Sequence, residues 1–164
     1  MTIEFYLNDE EKYLDIPPQT SLLDILSDHF QQKYIRRGCE RGHCGACTVL
    51  VDDHPTPSCL LPAFNLPGRH VETLSGLIER EEFTHIETAF LRAGFYPCKY
   101  CAPTKIILTE SILRRDESQP DEKTILHYVG ENWCGCTSQG SFVKAVQIAD
   151  SLRRKRRAMN ANRR

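Results

Sequence analysis

The N-terminal half of the chain alternates apolar and polar positions in a way that builds a small sheet around one helix. Residues 2–7 place every second side chain, all of them apolar, on one face, and a period of two predicts a half-buried strand. The polar run at 8–11 predicts a turn into a second short strand over 12–16, and hence a hairpin. Ser21 can cap a helix over 22–30, where apolar residues recur at helical spacing.

A further strand follows a loop that contains several glycines. The loop carries Gly38, Gly42 and Gly45, and residues 48–51 are β-branched or leucine, which predicts a strand. Strands packed around one helix, with a long loop between them, indicate a small α+β domain.

Helical periodicity replaces the strand pattern in the second half. Apolar spacing predicts helices over 84–93, 103–114, 121–129 and from 138 into the C-terminal segment. Four helices with short connections predict a small bundle. We therefore expect one domain over residues 1–80, a helical domain over 81–152 and a basic C-terminal tail over 153–164.

Composition narrows the class of protein. The 164 residues are 40% hydrophobic and 26% charged, which is typical of a globular protein and not of a disordered one. No apolar run reaches the roughly 18 residues of a membrane span. The N-terminus lacks the basic and apolar regions of a secretory signal, so we expect a cytoplasmic protein without a membrane span.

The net charge of −1 conceals a basic C-terminal segment. Residues 151–164 hold seven basic residues and no acid, so residues 1–150 keep 14 basic and 22 acidic residues and a formal charge of −8. We interpret the segment as the solvated end of a helix. The acidic remainder and the lack of a nucleic-acid-binding motif argue against a nucleic-acid partner.

Eight cysteines carry the candidate chemistry. In a chain without an export signal, this number favours metal or cluster binding over disulfides. The first cysteine set is Cys39, Cys44, Cys47 and Cys59. The run C-x4-C-x2-C with a later fourth cysteine is the spacing of plant-type [2Fe–2S] sites, in which three thiolates converge from one loop. The glycines of the loop allow positive φ and backbone N–H···S contacts.

The second cysteine set consists of two close pairs, Cys98 with Cys101 and Cys134 with Cys136. Each pair precedes a predicted helix, where backbone N–H groups and the helix dipole favour thiolates. Taken alone, this set suits either a cluster or a structural zinc. We expect Trp133 to pack over the site. Since the chain contains no phosphate-binding, hydrolytic or nucleophile motif, we expect it to move electrons and not to transform a substrate itself.

Five segments carry recognisable motifs, namely residues 39–52, 58–60, 73–77, 97–103 and 132–137. They resemble the small iron–sulfur subunit of the molybdenum hydroxylases, a family that includes xanthine dehydrogenase, aldehyde oxidoreductase, aerobic carbon monoxide dehydrogenase and nicotinate dehydrogenase. The resemblance covers nearly the whole chain and includes all eight cysteines.

The resemblance implies an α+β protein with an N-terminal β-grasp plant-type ferredoxin domain followed by a C-terminal four-helix [2Fe–2S]-binding domain. It implies two [2Fe–2S] clusters, one on Cys39, Cys44, Cys47 and Cys59, the other on Cys98, Cys101, Cys134 and Cys136. The implied partners are a molybdopterin-binding large subunit and an FAD-binding medium subunit. Electrons would leave the molybdenum–pterin site, pass through the second and then the first cluster, and reach FAD or another acceptor.

Around the second cysteine set the chain departs from the family pattern. Pro97 stands where glutamine is usual, Lys99 and Tyr100 replace Gly-Phe, and Gly135 replaces arginine. These changes affect the expected contacts with a pterin and leave the ligands in place. Two alternatives stay open: a stand-alone two-cluster ferredoxin or redox sensor, and a zinc-stabilised scaffold.

Overall fold

The computed structural model describes residues 1–115, 119–129, 132 and 134–162. The chain divides into two compact units, Met1–Glu79 and Arg80–Arg164. The first unit holds a five-stranded sheet with short helices, and the second is helical. The protein is therefore a mixed α+β structure, as the sequence predicts.

The first hairpin forms where the sequence predicts it. Strand β1 (Thr2–Leu7) pairs antiparallel with β2 (Glu10–Asp15). The two turn residues, Asn8 and Asp9, have positive φ of 51° and 68°. Asn and Asp tolerate this left-handed region, and two such residues make the turn whose twist matches that of a hairpin.

A second hairpin and one short strand complete the sheet. Strand β3 (Thr48–Val51) pairs antiparallel with β4 (His54–Pro57). Strand β5 (His70–Glu72) lies between the two hairpins, parallel to β1 and antiparallel to β3. The resulting strand order is β2-β1-β5-β3-β4. The pattern of side chains along the sequence predicts β1, β2 and β3 but not β4 or β5.

The helix of the first unit differs from the regular α-helix that the apolar spacing predicts. Helix α1 (Leu22–Asp24) is short and continues as a π-helical turn over Ile25–His29. Ser21 caps it as expected, because its Oγ accepts a hydrogen bond from the Asp24 N–H at 3.1 Å. The π-helical spacing is visible in the hydrogen bond from the Phe30 N–H to the Ile25 carbonyl at 3.2 Å.

The core of the first unit lies between this helix and one face of the sheet. It consists of Ile3, Phe5, Leu7, Ile16, Leu22, Ile25, Leu26, Val49, Val51, Ala63, Leu66 and Val71. The apolar face predicted for residues 2–7 is thus buried against the helix. A short helix, α2 (Leu74–Leu77), follows β5 at the end of the unit.

The described residues of the second unit form four helices, namely α3 (Phe83–Ala93), α4 (Ala102–Arg114), α5 (Glu122–Val129) and α6 (Gln139–Ala161). Gly94 ends α3 in the left-handed conformation, with φ of 64°. Helix α6 continues through most of the basic C-terminal segment. Within the described ranges, no helix combines the length and the apolar character that crossing a membrane requires.

Aromatic side chains sit at the centre of the second core. The Phe95 ring lies 4.9 Å from that of Phe90 and 5.2 Å from that of Phe142, measured between centroids. The remaining buried members are Ile86, Ala89, Ile112, Leu113, Ile125, Val143, Ala145, Val146 and Ala149. These residues come from all four helices, so the unit has one shared core.

Candidate metal centres

The first cysteine set lies on two segments that flank the β3–β4 hairpin. Cys39, Cys44 and Cys47 lie on the loop that leads into β3, and Cys59 lies in the 3₁₀ turn Ser58–Leu60 that follows β4. The buried Ser58 fastens the two segments, because its Oγ and its N–H both donate to the Cys47 carbonyl, at 2.8 and 3.2 Å. The hairpin therefore returns the fourth cysteine to the loop that carries the other three.

Backbone N–H groups of the loop point at its sulfur atoms. The N–H groups of Arg41 and Cys44 lie 3.4 and 3.3 Å from the Cys39 Sγ, and the Cys39 N–H lies 3.4 Å from the Cys44 Sγ. The N–H of Arg41 and then that of Cys44 lower the pKa of Cys39 to about 6. Positive φ at Glu40, Gly42 and Gly45 gives the loop this curvature. A thiolate at this position is thus stabilised by the fold itself.

The pKa of Cys59, the fourth cysteine of this set, shifts in the opposite direction to that of Cys39. Burial, and next the neighbouring thiol of Cys47, raise the pKa of Cys59 to about 11. Gly42, with φ of 78°, comes so close to the side chain of Leu60 that a Cβ atom would overlap it. Because burial and the neighbouring sulfur both oppose ionisation of Cys59, a cation is needed before all four sulfurs of the set can be thiolates.

The second cysteine set gathers at the starts of two helices. Cys98 and Cys101 lie in the turn that enters α4, and Cys134 and Cys136 precede α6. The sulfurs of Cys98, Cys134 and Cys136 all lie within 4.8 Å of one another, the one such group of three metal-ligating side chains in the described part of the chain. The fourth sulfur, that of Cys101, interacts with those of Cys134 and Cys98. The structure therefore brings three of the four sulfurs into one group and places the Cys101 sulfur beside two of them.

In this set, too, the pKa values of neighbouring cysteines shift in opposite directions. The backbone N–H of Cys101 and then that of Tyr100 lower the pKa of Cys98 to about 7. Burial and then the thiols of Cys134 and Cys98 raise the pKa of Cys101 to about 12. Sulfurs packed as closely as those of Cys98, Cys134 and Cys136 can all ionise only around a positively charged group.

A lysine beside the second set was not identified from the sequence. Lys105 lies on α4 one turn after Cys101, and its side chain is buried. Its Nζ donates to the Asn132 carbonyl at 2.6 Å and lies 5.0 Å from the centre of the Phe142 ring. Burial lowers the pKa of Lys105, while the thiolate charges of Cys134 and Cys101 oppose that change. Trp133, expected to pack over this site, lies outside the described residues.

The donor sets fit a cysteine-ligated iron–sulfur cluster. Each unit supplies four sulfur donors, and in each set backbone N–H groups stabilise at least one thiolate, which is how proteins hold and tune such clusters. Four thiolates would also bind zinc. The geometry defines two cysteine-rich metal centres, and comparison with known proteins decides between the two occupants.

Both units match known cluster-binding families. Residues 5–69 match the 2Fe-2S iron-sulfur cluster binding domain, and residues 73–147 match the [2Fe-2S] binding domain. The class of protein is therefore an iron–sulfur protein with two [2Fe–2S] domains.

Individual relatives of similar length show which family of iron–sulfur proteins the chain resembles. A probable xanthine dehydrogenase subunit from Bacillus subtilis is 35% identical over 147 residues, which cover 90% of this chain and 80% of the relative. The small FeS subunit of nicotinate dehydrogenase from Eubacterium barkeri is 32% identical, with 91% and 94% covered. A chain of quinoline 2-oxidoreductase from Pseudomonas putida 86 superposes with a TM-score of 0.80 at 28% identity, with 94% and 96% covered. The chain belongs to the family of small iron–sulfur subunits of the molybdenum hydroxylases, and its role is electron transfer within an oxidoreductase.

Proposed function

We propose that this chain carries electrons, one at a time, from a molybdenum–pterin site in a large subunit to FAD in a medium subunit or to another acceptor. The observation that supports it best is the close group formed by the sulfurs of Cys98, Cys134 and Cys136 in the second unit, together with sulfurs in both units that accept backbone N–H groups. The proposed ligands are Cys39, Cys44, Cys47 and Cys59 for the first cluster and Cys98, Cys101, Cys134 and Cys136 for the second. When bound, each [2Fe–2S] cluster accepts and releases a single electron.

The proposal assigns each unit to a known architecture. We infer a β-grasp plant-type ferredoxin domain over residues 1–80 and a four-helix cluster-binding domain over 81–152, followed by the basic segment 153–164. The strand order with β5 between two hairpins, and the four helices around one core, support this assignment. A cytoplasmic location suits eight cysteines that act as thiolate ligands.

Exposed apolar side chains beside each cysteine set support docking of partner subunits. Leu60, next to Cys59, is 58% exposed, and Tyr96, two residues before Cys98, is 66% exposed. Large apolar groups at such positions are typical of interaction surfaces. Electron entry and exit both require a partner to approach a cluster, so we propose that these residues belong to the two docking surfaces.

Metal analysis of the purified full chain tests the occupant. Two [2Fe–2S] clusters predict about four iron and four acid-labile sulfide per chain. Zinc without sulfide would reject the proposal in favour of a scaffold role. A Cys98→Ser variant is expected to lose about half of the iron, whereas a matched serine-to-alanine change on α6, Ser151→Ala, is expected to retain all of it.

Co-expression tests the partners. We expect the chain to co-purify with a pterin-binding large subunit and to be reduced by the substrate of that partner. A chain that keeps both clusters but binds neither a large nor a medium subunit would instead be a stand-alone two-cluster ferredoxin or redox sensor.

A further inference from the structure

Lys105 is a buried cation without a carboxylate partner among the described residues. It is 3% exposed, and among the described residues its ammonium contacts the Asn132 carbonyl and the face of the Phe142 ring. A carbonyl and a ring face compensate an ammonium far less than an anion does, and burying an uncompensated charge is strongly unfavourable. Some other negative group must therefore offset this charge in the functional protein.

The same unit shows how a buried cation is normally compensated. Arg153 is 5% exposed and reaches both carboxylate oxygens of Glu110, at 3.0 and 2.6 Å. Lys105 lies on the same helix as Glu110, but five residues earlier, near the N-terminal end of α4. It lies there beside the second cysteine set.

Two segments that carry cysteines of the second set hydrogen-bond to Lys105. Cys101 lies one turn earlier on α4, where its carbonyl accepts the Lys105 N–H at 3.0 Å. The Asn132 carbonyl that holds the Nζ lies two residues before Cys134. Both cysteines interact electrostatically with the ammonium. Apart from these two cysteines, the structure places no ionisable acidic side chain of the described residues against it.

We propose that the cluster bound by the second cysteine set is the counter-ion of Lys105, and that Lys105 in return raises the reduction potential of that cluster. The inference rests on the ligand set of the proposed function. Four thiolates, two ferric ions and two sulfides carry a net charge of minus two, which becomes minus three on reduction. A fixed positive charge stabilises the more negative reduced form more, and a buried position weakens screening by solvent and salt.

The test is an EPR-monitored redox titration of the full chain with its clusters in place. Lys105→Met removes the charge at similar volume, and Lys105→Gln removes the charge but keeps an N–H donor for the Asn132 carbonyl. The first cluster serves as an internal reference, with its signal assigned by its loss from Cys44→Ser. We expect both neutral variants to disfavour reduction of the second cluster by at least about tenfold, which is a shift of 59 mV for one electron.

Lys99→Met is the matched control. Lys99 lies between Cys98 and Cys101, closer in sequence to the ligands than Lys105 is, but its side chain is exposed. Solvent screens exposed charges, so we expect less than about a threefold change. An equal shift for the two lysines, or no shift of the second cluster in Lys105→Met and Lys105→Gln, would overturn the proposal.

Loss of the second cluster is also informative. If both neutral variants lose it while Lys105→Arg retains it, a positive charge is required to hold the cluster, which supports the proposal. If Lys105→Arg loses it as well, the position depends on shape and the proposal is wrong. Absence of the second cluster from the unmodified chain would instead refute the proposed function, and metal analysis detects that case separately.

Discussion

Arg153 on α6 and Glu110 on α4 form a buried ion pair in the core of the second unit. The Arg153 Nη1 and Nη2 donate to the Glu110 Oε1 and Oε2 at 3.0 and 2.6 Å. Arg114 adds a third hydrogen bond to Oε1 at 2.9 Å. Two parallel bonds between a guanidinium and a carboxylate are strong and directional, so this contact fixes how the basic end of α6 lies on α4.

Removing the cation of this pair should destabilise the second unit markedly. Arg153→Met leaves Glu110 buried with less compensation, and breaking a buried pair from one side costs about 3 kcal/mol. Urea unfolding of the full chain, followed by circular dichroism at a helical wavelength, measures the loss. Arg156→Met is the control, because Arg156 pairs with Glu81, which is 73% exposed, and exposed pairs contribute less than about 1 kcal/mol. Equal losses in the two variants would contradict the assigned role of Arg153.

His85 should make the second unit less stable in mild acid. Burial, and next the charge of Arg153, hold the pKa of His85 below its ordinary value of 6.5. In the unfolded chain His85 gains a proton near pH 6.5, but in the folded chain only at lower pH. Its contribution is therefore complete above pH 6.5 and declines as the pH falls towards the folded pKa. Thermal unfolding between pH 8 and 5.5 should show this decline, and His85→Gln should flatten it. An unchanged pH profile in that variant would exclude His85 as the cause.

Gly42→Ala should lower the occupancy of the first cluster site and leave the second filled. Gly42 has φ of 78°, and a Cβ there would overlap Leu60, the neighbour of Cys59. We expect a partial loss of iron, at most half, because each site holds two of the four irons and the exposed Leu60 side chain can turn away from the added methyl group. Gly68→Ala is matched in backbone strain, with φ of 72°, but its Cβ would meet nothing within 4 Å. Full iron content in Gly42→Ala, or an equal loss in Gly68→Ala, would show that the close approach to Leu60 is unimportant.

Cys44→Ser should show that the two units fold and bind their clusters independently. Cluster binding and folding are coupled, and each unit has its own core. We expect this variant to lose the visible absorbance of the first cluster while the helical signal of α3 to α6 and the second cluster persist. Cys98→Ser should give the reverse pattern. Loss of both clusters from either variant would mean that the two units fold as one.

The strands could be predicted where side chains alternate, and not where pairing depends on distant residues. Strand β1 has a clear period of two, and its apolar face is buried as predicted. Strand β4 contains Pro55 and Pro57, which disfavour a strand in any local reading, and β5 has only three residues. Both exist because β3 and β1 lie beside them, which is information that the local pattern does not contain.

The sequence predicts which residues could bind the clusters, but not which other residues lie around them. The cysteine spacing identified eight candidate ligands, because thiolates that share a cluster must come from close positions on a loop. Lys105 and Glu110 gave no such signal, since charged residues on a helix usually face solvent. Helix α4 is buried on nearly every side from Pro103 to Leu113, so its polar residues are enclosed by neighbours that only the tertiary structure supplies.

The position of β5 has a consequence for the order in which the first unit is assembled. Among the described strands, β5 is the last in sequence and the only one that pairs with both hairpins, through Tyr6 and Leu7 on one side and Leu50 and Val51 on the other. A nascent chain that has emerged as far as Cys59 already carries all four thiols of the first cysteine set, yet its two hairpins are still unconnected. The sheet that supports this site is therefore completed only after its four ligands have been made, once residues 70–72 have emerged.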